Sequence, residues 1–599
     1  MKENITARLT ALRETMKNSG VDAYVIPSSD PHLSEYPPEC WKDRVWISGF
    51  TGSAGTVVVT LKDAGLWTDS RYFLQAGTQL EGSGIDLYKD GLPETPSITK
   101  LLRDRNGEIK VVGFNGKAMS YQEAQGLRQA LSVAGIDVRS DLNLISEIRE
   151  EPVQLPMDKL FVHPLEYAGA SPAQKVDQVR KKLKDSGAEV IILNMLDEVA
   201  WLFNLRGSDV SYNPVGIAYG MITPEEVSLY VDEKKLAEEV RDFLAENHVS
   251  IKPYESIYEE VQGLSDEWVV SVDPARINDK LFHSIPKDMV IVQQLSPITL
   301  LKACKNEAEC HGYQAAMKRD GVALTRFFMW LERSLDEGKE LSEYDLGVVL
   351  SDYRSQGEYY VSDSFATIAG YNGNGAIVHY SAAKDTASKI SASGILLLDS
   401  GGQYRDGTTD ITRTISLDGK PSQKQKDDYT RVMKGHIGIA TAIFPQGTRG
   451  VQLDILAKKA LWDNCQNFGH GTGHGVGHFL NVHEGPQNIR VDLNPTPLMP
   501  GMVTSNEPGL YIAGEYGIRI ENLVRTVPYR DSEFGSFYAF ETLTLCYFDN
   551  SLINADLMTD KELEWYNAYQ KRVYDTLAPE LTEEEASWLK NKTQPLARP

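Results

Sequence analysis

Between residues 395 and 521 the chain combines frequent glycines with five side chains that can bind a metal ion. They are Asp399, Asp410, His474, Glu507 and Glu521. Carboxylates gathered in one folded site repel one another unless they are protonated or bound to cations. Four carboxylates and one imidazole carry too much negative charge for a single divalent ion, but they suit two ions that share bridging carboxylates. The strands and loops of this segment are therefore expected to converge on a two-metal site.

The first two of these ligands lie in the sequence LLLDSGGQYRDGTTDITRT. An apolar run, a glycine-rich turn and a second run rich in threonine and isoleucine predict a β-hairpin. A turn near Tyr404 and Arg405 would set the two aspartates opposite each other, and opposed side chains project to one face. Asp406 falls in the turn and is expected to be solvated. Taken alone, the hairpin also fits a pair of solvated aspartates without a metal.

The other three ligands come from separate motifs. HGTGHGVGHFLNVHEGP contains four histidines, among them His474; SNEPG contains Glu507; and the alternating strand YGIRIENL contains Glu521. Together with the hairpin, these motifs supply five potential metal ligands, and coincidence is a poor explanation for the whole set. A pair of ions in such a site can hold and ionise a water molecule. Oxygen-dominated ligation favours Mn²⁺, whereas the single imidazole keeps Zn²⁺, Co²⁺ and Fe²⁺ as alternatives.

The ligand order Asp, Asp, His, Glu, Glu, set in DSGGQYRDGTTDITRT, GHGTGHGVGH, NEPG and GIRIEN, resembles the pita-bread metallopeptidases. Within them it is most similar to the aminopeptidase P family, the Xaa-Pro aminopeptidases. The motifs FTGSAGTVVVT and LWTDSRYFLQA near the N-terminus resemble the long, cytosolic type of that enzyme. The similarity spans essentially the whole chain, with no departure at any ligand position.

This resemblance implies a division of labour among the ligands. Asp399 would chelate one ion, His474 and Glu507 the other, and Asp410 and Glu521 would bridge both. The reaction implied is hydrolysis of the N-terminal Xaa-Pro bond by a hydroxide held between the ions, with the glutamate of NEPG as proton shuttle. Substrates would be peptides with proline in second position. The resemblance also implies a homodimer formed largely through the metal-bearing domain.

Other side chains are assigned to the site mainly by the same resemblance. His379, His470 and His483 match positions that line the family's active site, where they would contact substrate or the oxyanion. His478 has no such support and is interpreted as structural. Arg519 lies two residues before the last ligand, hence on the same strand face, where it could orient the bridging carboxylates.

At 599 residues the chain is too long for one hydrophobic core, and three domains are predicted. KNSGVDAYVI recurs as KDSGAEVIIL, so residues 1–155 and 156–297 are predicted to be two related α/β domains, each a mixed sheet flanked by helices. The resemblance makes them creatinase-N-like domains that serve as scaffold or gate the substrate. Residues 298–599 would be the pita-bread catalytic domain with a helical C-terminal extension, giving an α/β and α+β fold overall. Asp69 and Arg71 are interpreted as a surface ion pair at a strand end.

Two helix pairs are predicted in the third domain. Ser342 has the side chain of an N-cap for one helix of the first pair. The second pair is expected at about residues 424–444 and 453–467. In the C-terminal extension, Thr582 and Glu585 form a predicted capping box ahead of an apolar stretch.

The chain holds 61 Lys and Arg against 84 Asp and Glu, a formal net charge of -23, which argues against nucleic acid and anionic membranes as partners. Five scattered cysteines without a CxxC motif are expected to be reduced thiols, as in a cytoplasmic protein. The N-terminus lacks the apolar region of a signal peptide, and no uncharged apolar run is long enough to span a membrane.

Three alternative functions fit parts of the pattern. A prolidase, which cleaves only Xaa-Pro dipeptides, shares the fold and ligands but not the three-part length. A non-catalytic pita-bread binding protein and a creatinase-like amidinohydrolase are disfavoured because all five ligands are present. Cleavage of a tripeptide distinguishes the main interpretation from prolidase.

Overall fold

Residues 23–139 form a six-stranded mixed sheet in the computed structural model, which describes residues 2–150 and 154–598. Its strands are β1 (Ala23–Ile26), β2 (Thr56–Thr60), β3 (Ala64–Thr68), β4 (Asp86–Lys89), β5 (Val111–Phe114) and β6 (Asp137–Arg139), in the order β4-β3-β2-β1-β5-β6. The helices are α1 (Lys2–Asn18), α2 (Asp43–Ser48), α3 (Phe73–Leu80), α4 (Ile98–Asp104), α5 (Tyr121–Ser132) and α6 (Leu144–Ile148). In α1 the apolar side chains at helical spacing, Ile5, Leu9, Leu12 and Met16, are buried in the core.

The segment from residue 154 to 296 repeats this sheet. Its strands are β7 (Phe161–Val162), β8 (Val190–Leu193), β9 (Leu205–Arg206), β10 (Tyr219–Ile222), β11 (Val227–Tyr230), β12 (Ser250–Lys252), β13 (Val269–Val272) and β14 (Val290–Gln293). The helices are α7 (Leu165–Ala168), α8 (Pro172–Asp185), α9 (Leu196–Leu202), α10 (Glu238–Glu246), α11 (Ile257–Gln262) and α12 (Asp279–His283). The second sheet has the order β12-β11-β10-β8-β13-β14. In both sheets the central strand, β1 or β8, has an antiparallel neighbour on one side and a parallel one on the other, which confirms the predicted internal repeat.

The remaining residues form small antiparallel sheets and long helices, and the metal-ligand motifs lie on the sheets and on the segments that join their strands. The helices are α13 (Pro297–Ala303), α14 (Glu307–Asp336), α15 (Glu343–Ser355), α16 (Gln423–Ala440), α17 (Gly450–Trp462), α18 (Asp560–Leu577) and α19 (Glu583–Lys592). The strands are β15 (Leu341–Ser342), β16 (Tyr360–Asp363), β17 (Ile368–Tyr371), β18 (Lys389–Ile390), β19 (Ile395–Ser400), β20 (Gly402–Tyr404), β21 (Gly407–Thr408), β22 (Ile411–Ser416), β23 (Ile443–Pro445), β24 (Gly473–Gly475), β25 (Glu484–Ile489), β26 (Val503–Asn506), β27 (Gly509–Ile512), β28 (Tyr516–Arg519), β29 (Asn522–Ser532) and β30 (Gly535–Thr542). One three-stranded sheet, β17-β19-β22, and one six-stranded sheet, β23-β30-β29-β26-β24-β25, carry most of the site.

Several local predictions hold and two helix ends do not. Ser342 caps α15 and Thr582 caps α19, each in a capping box. Helix α16 ends at Ala440, because the chain then pairs as edge strand β23 against β30. Helix α17 ends at Trp462, and Cys465 follows with a left-handed φ of 56°, a conformation that cannot continue a helix. Helix α16 therefore ends about four residues, and helix α17 about five residues, before the predicted position.

Packing divides the chain into two units. One contains the two repeated sheets and runs to residue 298; the other contains residues 299–599 together with 164–169 and 212–214. The three-domain boundaries at residues 155 and 297 stay a prediction. All five cysteines are free thiols. Across the described ranges, every helix is too short or too polar to cross a membrane.

Candidate metal centre

The aspartate hairpin forms, but with a register that differs from the predicted one. Asp399 in β19 is opposite Thr412 in β22, and the turn consists of Arg405 and Asp406. Asp410 follows β21 outside the regular ladder, so the two aspartates are diagonal neighbours instead of an opposed pair. The two-residue turn between β20 and β21 sets this register. Diagonal neighbours still share a face, and the convergence of the carboxylates is preserved.

Asp406 is buried, contrary to the expectation that it would be solvated. Only 5% of the residue is exposed, and its carboxylate forms an ion pair with Arg319 of helix α14. The turn is covered by this helix, whose residue Gly312 leaves no room for a side chain next to the Asp406 backbone. The turn aspartate therefore has a structural environment of its own, separate from the ligands.

His474 is oriented so that one ring nitrogen faces the carboxylates. Its Nδ1 lies 2.8 Å from the Gly475 carbonyl oxygen, which can only accept a hydrogen bond, so Nδ1 carries the proton. Nε2 lies 3.4 Å from Asp410 Oδ2 and 3.4 Å from Glu507 Oε1. One ligand atom each from Asp410, His474 and Glu521 lie within 4.8 Å of one another. This is the arrangement of a histidine ligand held by a backbone carbonyl.

The two glutamates are placed by breaks in regular structure. Glu507 directly follows β26; its N–H donates to the Thr472 carbonyl at 2.8 Å, and Ser505 donates to Glu507 Oε1 at 3.0 Å. Glu521 lies between β28 and β29 and not inside one continuous strand as predicted. The break arises because β28 pairs with β27, whereas β29 pairs with β26 and β30. At this junction the Thr412 hydroxyl donates to Glu521 Oε2 at 2.7 Å.

Arg519 contacts Asp399, not the two predicted bridging carboxylates. Its Nη2 donates to Asp399 Oδ2 at 2.6 Å, and its Nε donates to the Thr412 hydroxyl at 3.1 Å. It therefore reaches Glu521 only through Thr412. Its Nη1 donates to the Tyr511 hydroxyl at 2.8 Å.

Tyr511 and Thr412 were missed by the sequence analysis. Tyr511 is diagonal to Arg519 across the β27–β28 hairpin, since Arg519 pairs with Gly509. Thr412 is two residues after Asp410, at a spacing that shares a strand face. Strand alternation could have found both residues, but it gives no reason to prefer them over other polar residues of the same strands.

The predicted histidines occupy different places. His470 Nε2 lies 2.7 Å from the Tyr511 hydroxyl, and the His483 ring lies edge-on to the His474 ring with centroids 4.5 Å apart. His379 is partly exposed in the irregular segment 377–388, between Ala376 and strand β18. His478 is buried against the Tyr313 ring, and its structural role stays a prediction.

The carboxylates of the site are buried close together, and this raises the pKa of Asp399, Glu507 and Glu521. Burial, followed by the charge of Asp410, raises the pKa of Glu521 well above its usual value. Burial likewise raises the pKa of Asp399, and it raises the pKa of Glu507 to about 7. Burial alone would lower the pKa of His474, but bonding to Asp410 and the charge of Glu507 outweigh it and raise the pKa to about 9. Such a site binds protons or cations tightly.

The residues present fit divalent cations. Asp399 Oδ1 is buried and has no hydrogen-bond partner among the described residues, while Asp399 Oδ2 is held by Arg519. The Asp399 carboxylate is therefore held in place by Arg519, while its Oδ1 is available to bind a metal ion. The five candidate ligands offer mostly carboxylate oxygens and one imidazole nitrogen, which binds a metal ion when the ring is neutral. Such donors suit ions such as Mn²⁺ and Zn²⁺.

Sequence models of known families cover nearly the whole chain. The Creatinase/Prolidase N-terminal domain matches residues 8–150, and a second model of that description matches residues 150–309. Metallopeptidase family M24 matches residues 311–527, and the C-terminal region of peptidase_M24 matches residues 536–596. The Probable Xaa-Pro aminopeptidase P of Coprinopsis cinerea is 41% identical over 616 residues, covering 98% of each chain. The chain belongs to the Xaa-Pro aminopeptidase P family.

Other relatives of this aminopeptidase P chain extend the match to plants and animals. Aminopeptidase P2 of Arabidopsis thaliana is 38% identical over 99% of this chain and 89% of its own. The crystal structure of X-prolyl aminopeptidase from Caenorhabditis elegans is 34% identical, covers 99% of this chain and all of its own, and superposes with a TM-score of 0.93. That protein is described as a cytosolic enzyme with a di-nuclear active site. The full-length match favours the aminopeptidase P interpretation over prolidase.

Proposed function

We propose that this aminopeptidase P chain is a two-metal enzyme that removes the N-terminal residue from peptides with proline in second position. The observation that carries the proposal is the position of His474, whose Nε2 lies 3.4 Å from both Asp410 and Glu507. Carboxylates and an imidazole at this spacing can hold a metal ion, and the chain is homologous to Xaa-Pro aminopeptidases over 98% of its length, which supports the proposal.

The proposed ligands divide into terminal and bridging positions. Asp399 would hold one ion, His474 and Glu507 the other, and Asp410 and Glu521 would bridge both. When bound, two divalent ions supply ionisation of a water and polarisation of the scissile carbonyl. The hydrogen bonds from Arg519 to Asp399 and from Thr412 to Glu521 would fix these carboxylates before substrate arrives.

The Xaa-Pro bond sets particular demands on the protein. It is a tertiary amide without an N–H, so the substrate cannot be positioned through that donor. His379 and His483 would instead contact the carbonyl and the following residue, and His470 would line the same site. The proline nitrogen must gain a proton as it leaves, and Glu507 is the side chain proposed to carry that proton from water to nitrogen.

We also propose the finer properties of the enzyme. The oxygen-rich ligand set favours Mn²⁺ as the bound metal. Five free thiols and a relative described as cytosolic support a cytoplasmic location. The chain would form a homodimer largely through the metal-bearing domain, and its domains would divide at residues 155 and 297. Equilibrium sedimentation tests the dimer, since a monomer at micromolar concentration would exclude it.

The activity is tested with three peptides of the forms Xaa-Pro-Yaa, Xaa-Ala-Yaa and Xaa-Pro. After chelation and reloading with Mn²⁺, we expect rapid cleavage of Xaa-Pro-Yaa and not of the other two peptides. The cleavage should occur only at the N-terminal bond. Equal cleavage of the alanine peptide would refute proline selectivity, and cleavage of the dipeptide alone would identify a prolidase. Metal analysis of the active protein should give two ions per chain, and full activity with one would exclude the dinuclear mechanism.

A further inference from the structure

A single buried carboxylate, that of Glu343, accepts hydrogen bonds from the segment that carries His379. Glu343 is the first residue of α15 and is 1% exposed. Its Oε1 accepts from the Tyr371 N–H at 2.8 Å and from Asn374 Nδ2 at 2.9 Å. Its Oε2 accepts from the Tyr380 hydroxyl at 2.7 Å and from the Ser388 N–H at 2.8 Å. All four donors lie between residues 371 and 388.

The charge of Glu343 is stabilised by hydrogen bonds from neutral donors. Throughout residues 2–150 and 154–598, no Lys or Arg forms an ion pair with Glu343, whose carboxylate accepts its hydrogen bonds from this one segment. A buried carboxylate without a cation requires several hydrogen bonds, and bonds to an ionised acceptor are about twice as strong as neutral ones. Burial, followed by the hydrogen bond to Glu343, raises the pKa of Tyr380, which keeps its hydroxyl a donor. The segment and the carboxylate therefore depend on each other.

These contacts fix a stretch of chain that has little regular structure. The segment is held at its start through Tyr371 and Asn374 and at its end through Ser388, next to the short β15–β18 ladder. Tyr380 is the contact in the middle, and it directly follows His379 in the sequence. Because the Tyr380 hydroxyl is bound to Glu343 of α15, the backbone that directly follows His379 is tied to that helix.

We propose that Glu343, acting through the Tyr380 hydroxyl, is the positioning residue that holds His379 in place to contact substrate. This inference rests on the proposed function, in which His379 contacts the Xaa-Pro substrate. Neither Glu343 nor Tyr380 touches the reacting atoms. They act by removing conformations of the segment in which the imidazole points away from the peptide.

The first test compares two tyrosines of the same segment. Tyr380→Phe removes the hydroxyl that binds Glu343. Tyr371→Phe removes an exposed hydroxyl that binds Ser391 and Ser393, and it leaves intact the set of hydrogen bonds to Glu343, which we call the Glu343 clamp. We expect Tyr380→Phe to lower kcat/KM for Xaa-Pro-Yaa about tenfold, because a bond to a charged group is lost. Tyr371→Phe should stay within about twofold of the wild type. Metal content should be unchanged in both, and equal activities of the two variants would overturn the inference.

The second test asks whether Tyr380 acts through His379. In a His379→Ala background, adding Tyr380→Phe should change kcat/KM by less than about twofold, since the imidazole to be positioned is gone. A full additional loss would mean that the hydroxyl supports the fold only. Glu343→Gln should show the same dependence on His379, provided that it folds.

Hydrogen exchange separates this inference from the proposed function. The amide of Ser388, bound to Glu343, should exchange faster in Tyr380→Phe than in Tyr371→Phe, whatever reaction the protein catalyses. If the wild type fails to cleave Xaa-Pro peptides, the proposed function fails on its own. If the wild type is active but exchange and kcat/KM do not distinguish the two tyrosine variants, only the positioning role is rejected.

Discussion

Arg519 donates from Nη2 to Asp399 Oδ2 at 2.6 Å, and both side chains are buried. The same guanidinium donates to the Tyr511 hydroxyl and to the Thr412 hydroxyl. A planar guanidinium can hold three partners in fixed directions, whereas a lysine ammonium is a single point charge on a flexible stem. Asp399 is thereby held with Oδ1 left over for a metal ion.

Arg519→Lys should therefore lower activity by about 10- to 100-fold, the usual cost of losing a residue that orients a metal ligand. Metal affinity should fall with it, as measured by titration of the stripped protein. Arg525→Lys is the matched control, because Arg525 lies in β29 and pairs with Glu541 at a partly exposed position. If Arg519→Lys resembles the control, the Asp399 contact has no part in metal binding.

Metal-induced stabilisation should increase with pH. The pKa of Glu507 is raised from 4.5 to about 7 and that of His474 from 6.5 to about 9, so the folded metal-free protein holds both protons more tightly than the unfolded chain. The stability from Glu507 is complete below pH 4.5 and lost as pH rises through about 7. That from His474 is complete below pH 6.5 and lost as pH rises through about 9. Bound ions displace these protons.

Melting curves of stripped and Mn²⁺-loaded protein across this range check the sign. The Tm of the stripped protein should fall with rising pH, and the increase in Tm on loading should grow. His474→Ala should remove the upper part of this dependence, while His311→Ala, at an exposed site on α14, should retain it. A loading effect that is constant with pH would contradict the protonation argument.

Asp406→Asn and Asp410→Asn should fail in different ways. Asp406→Asn breaks the ion pair with Arg319 and should reduce the free energy of unfolding by about 3 kcal/mol, with activity per folded molecule retained. Asp410→Asn removes a proposed bridging ligand and should abolish metal binding and activity. Denaturant unfolding together with metal analysis distinguishes the two outcomes, and loss of metal in Asp406→Asn would show that the turn also shapes the centre.

Helix α18 of the C-terminal extension should influence the metal centre through Arg413. This buried guanidinium donates to the Glu521 carbonyl at 2.7 Å and to the Tyr569 hydroxyl at 3.0 Å. Tyr569→Phe should cost about 1 kcal/mol of stability and weaken metal binding. Tyr566→Phe, on the same helix, loses its bond to Asn550 and should cost similar stability without affecting the metal. Equal metal affinities would confine α18 to a structural role.

Much of the fold and the ligand set could be predicted from the sequence, because these features depend on local patterns. The repeated motif predicted two sheets of the same topology, and side chains at the ends of α15 and α19 predicted their caps. Asp69 and Arg71 form the ion pair expected at the end of strand β3, and both side chains are partly exposed. Of the five proposed ligands, Asp410, His474 and Glu521 meet within ligand distance, and His474 also reaches Glu507.

Only the tertiary structure decided the features that depend on partners distant in the sequence. The burial of Asp406 follows from contact with α14, and the position of Glu521 follows from a strand that changes partners. The bond from Arg519 to Asp399 joins residues 120 positions apart, and the clamp by Glu343 reaches 37 residues ahead to Tyr380. The sequence determined which side chains can bind metal, because ligand chemistry belongs to residue type. Register, burial and orientation were decided by packing, because they are properties of pairs of residues that only folding brings together.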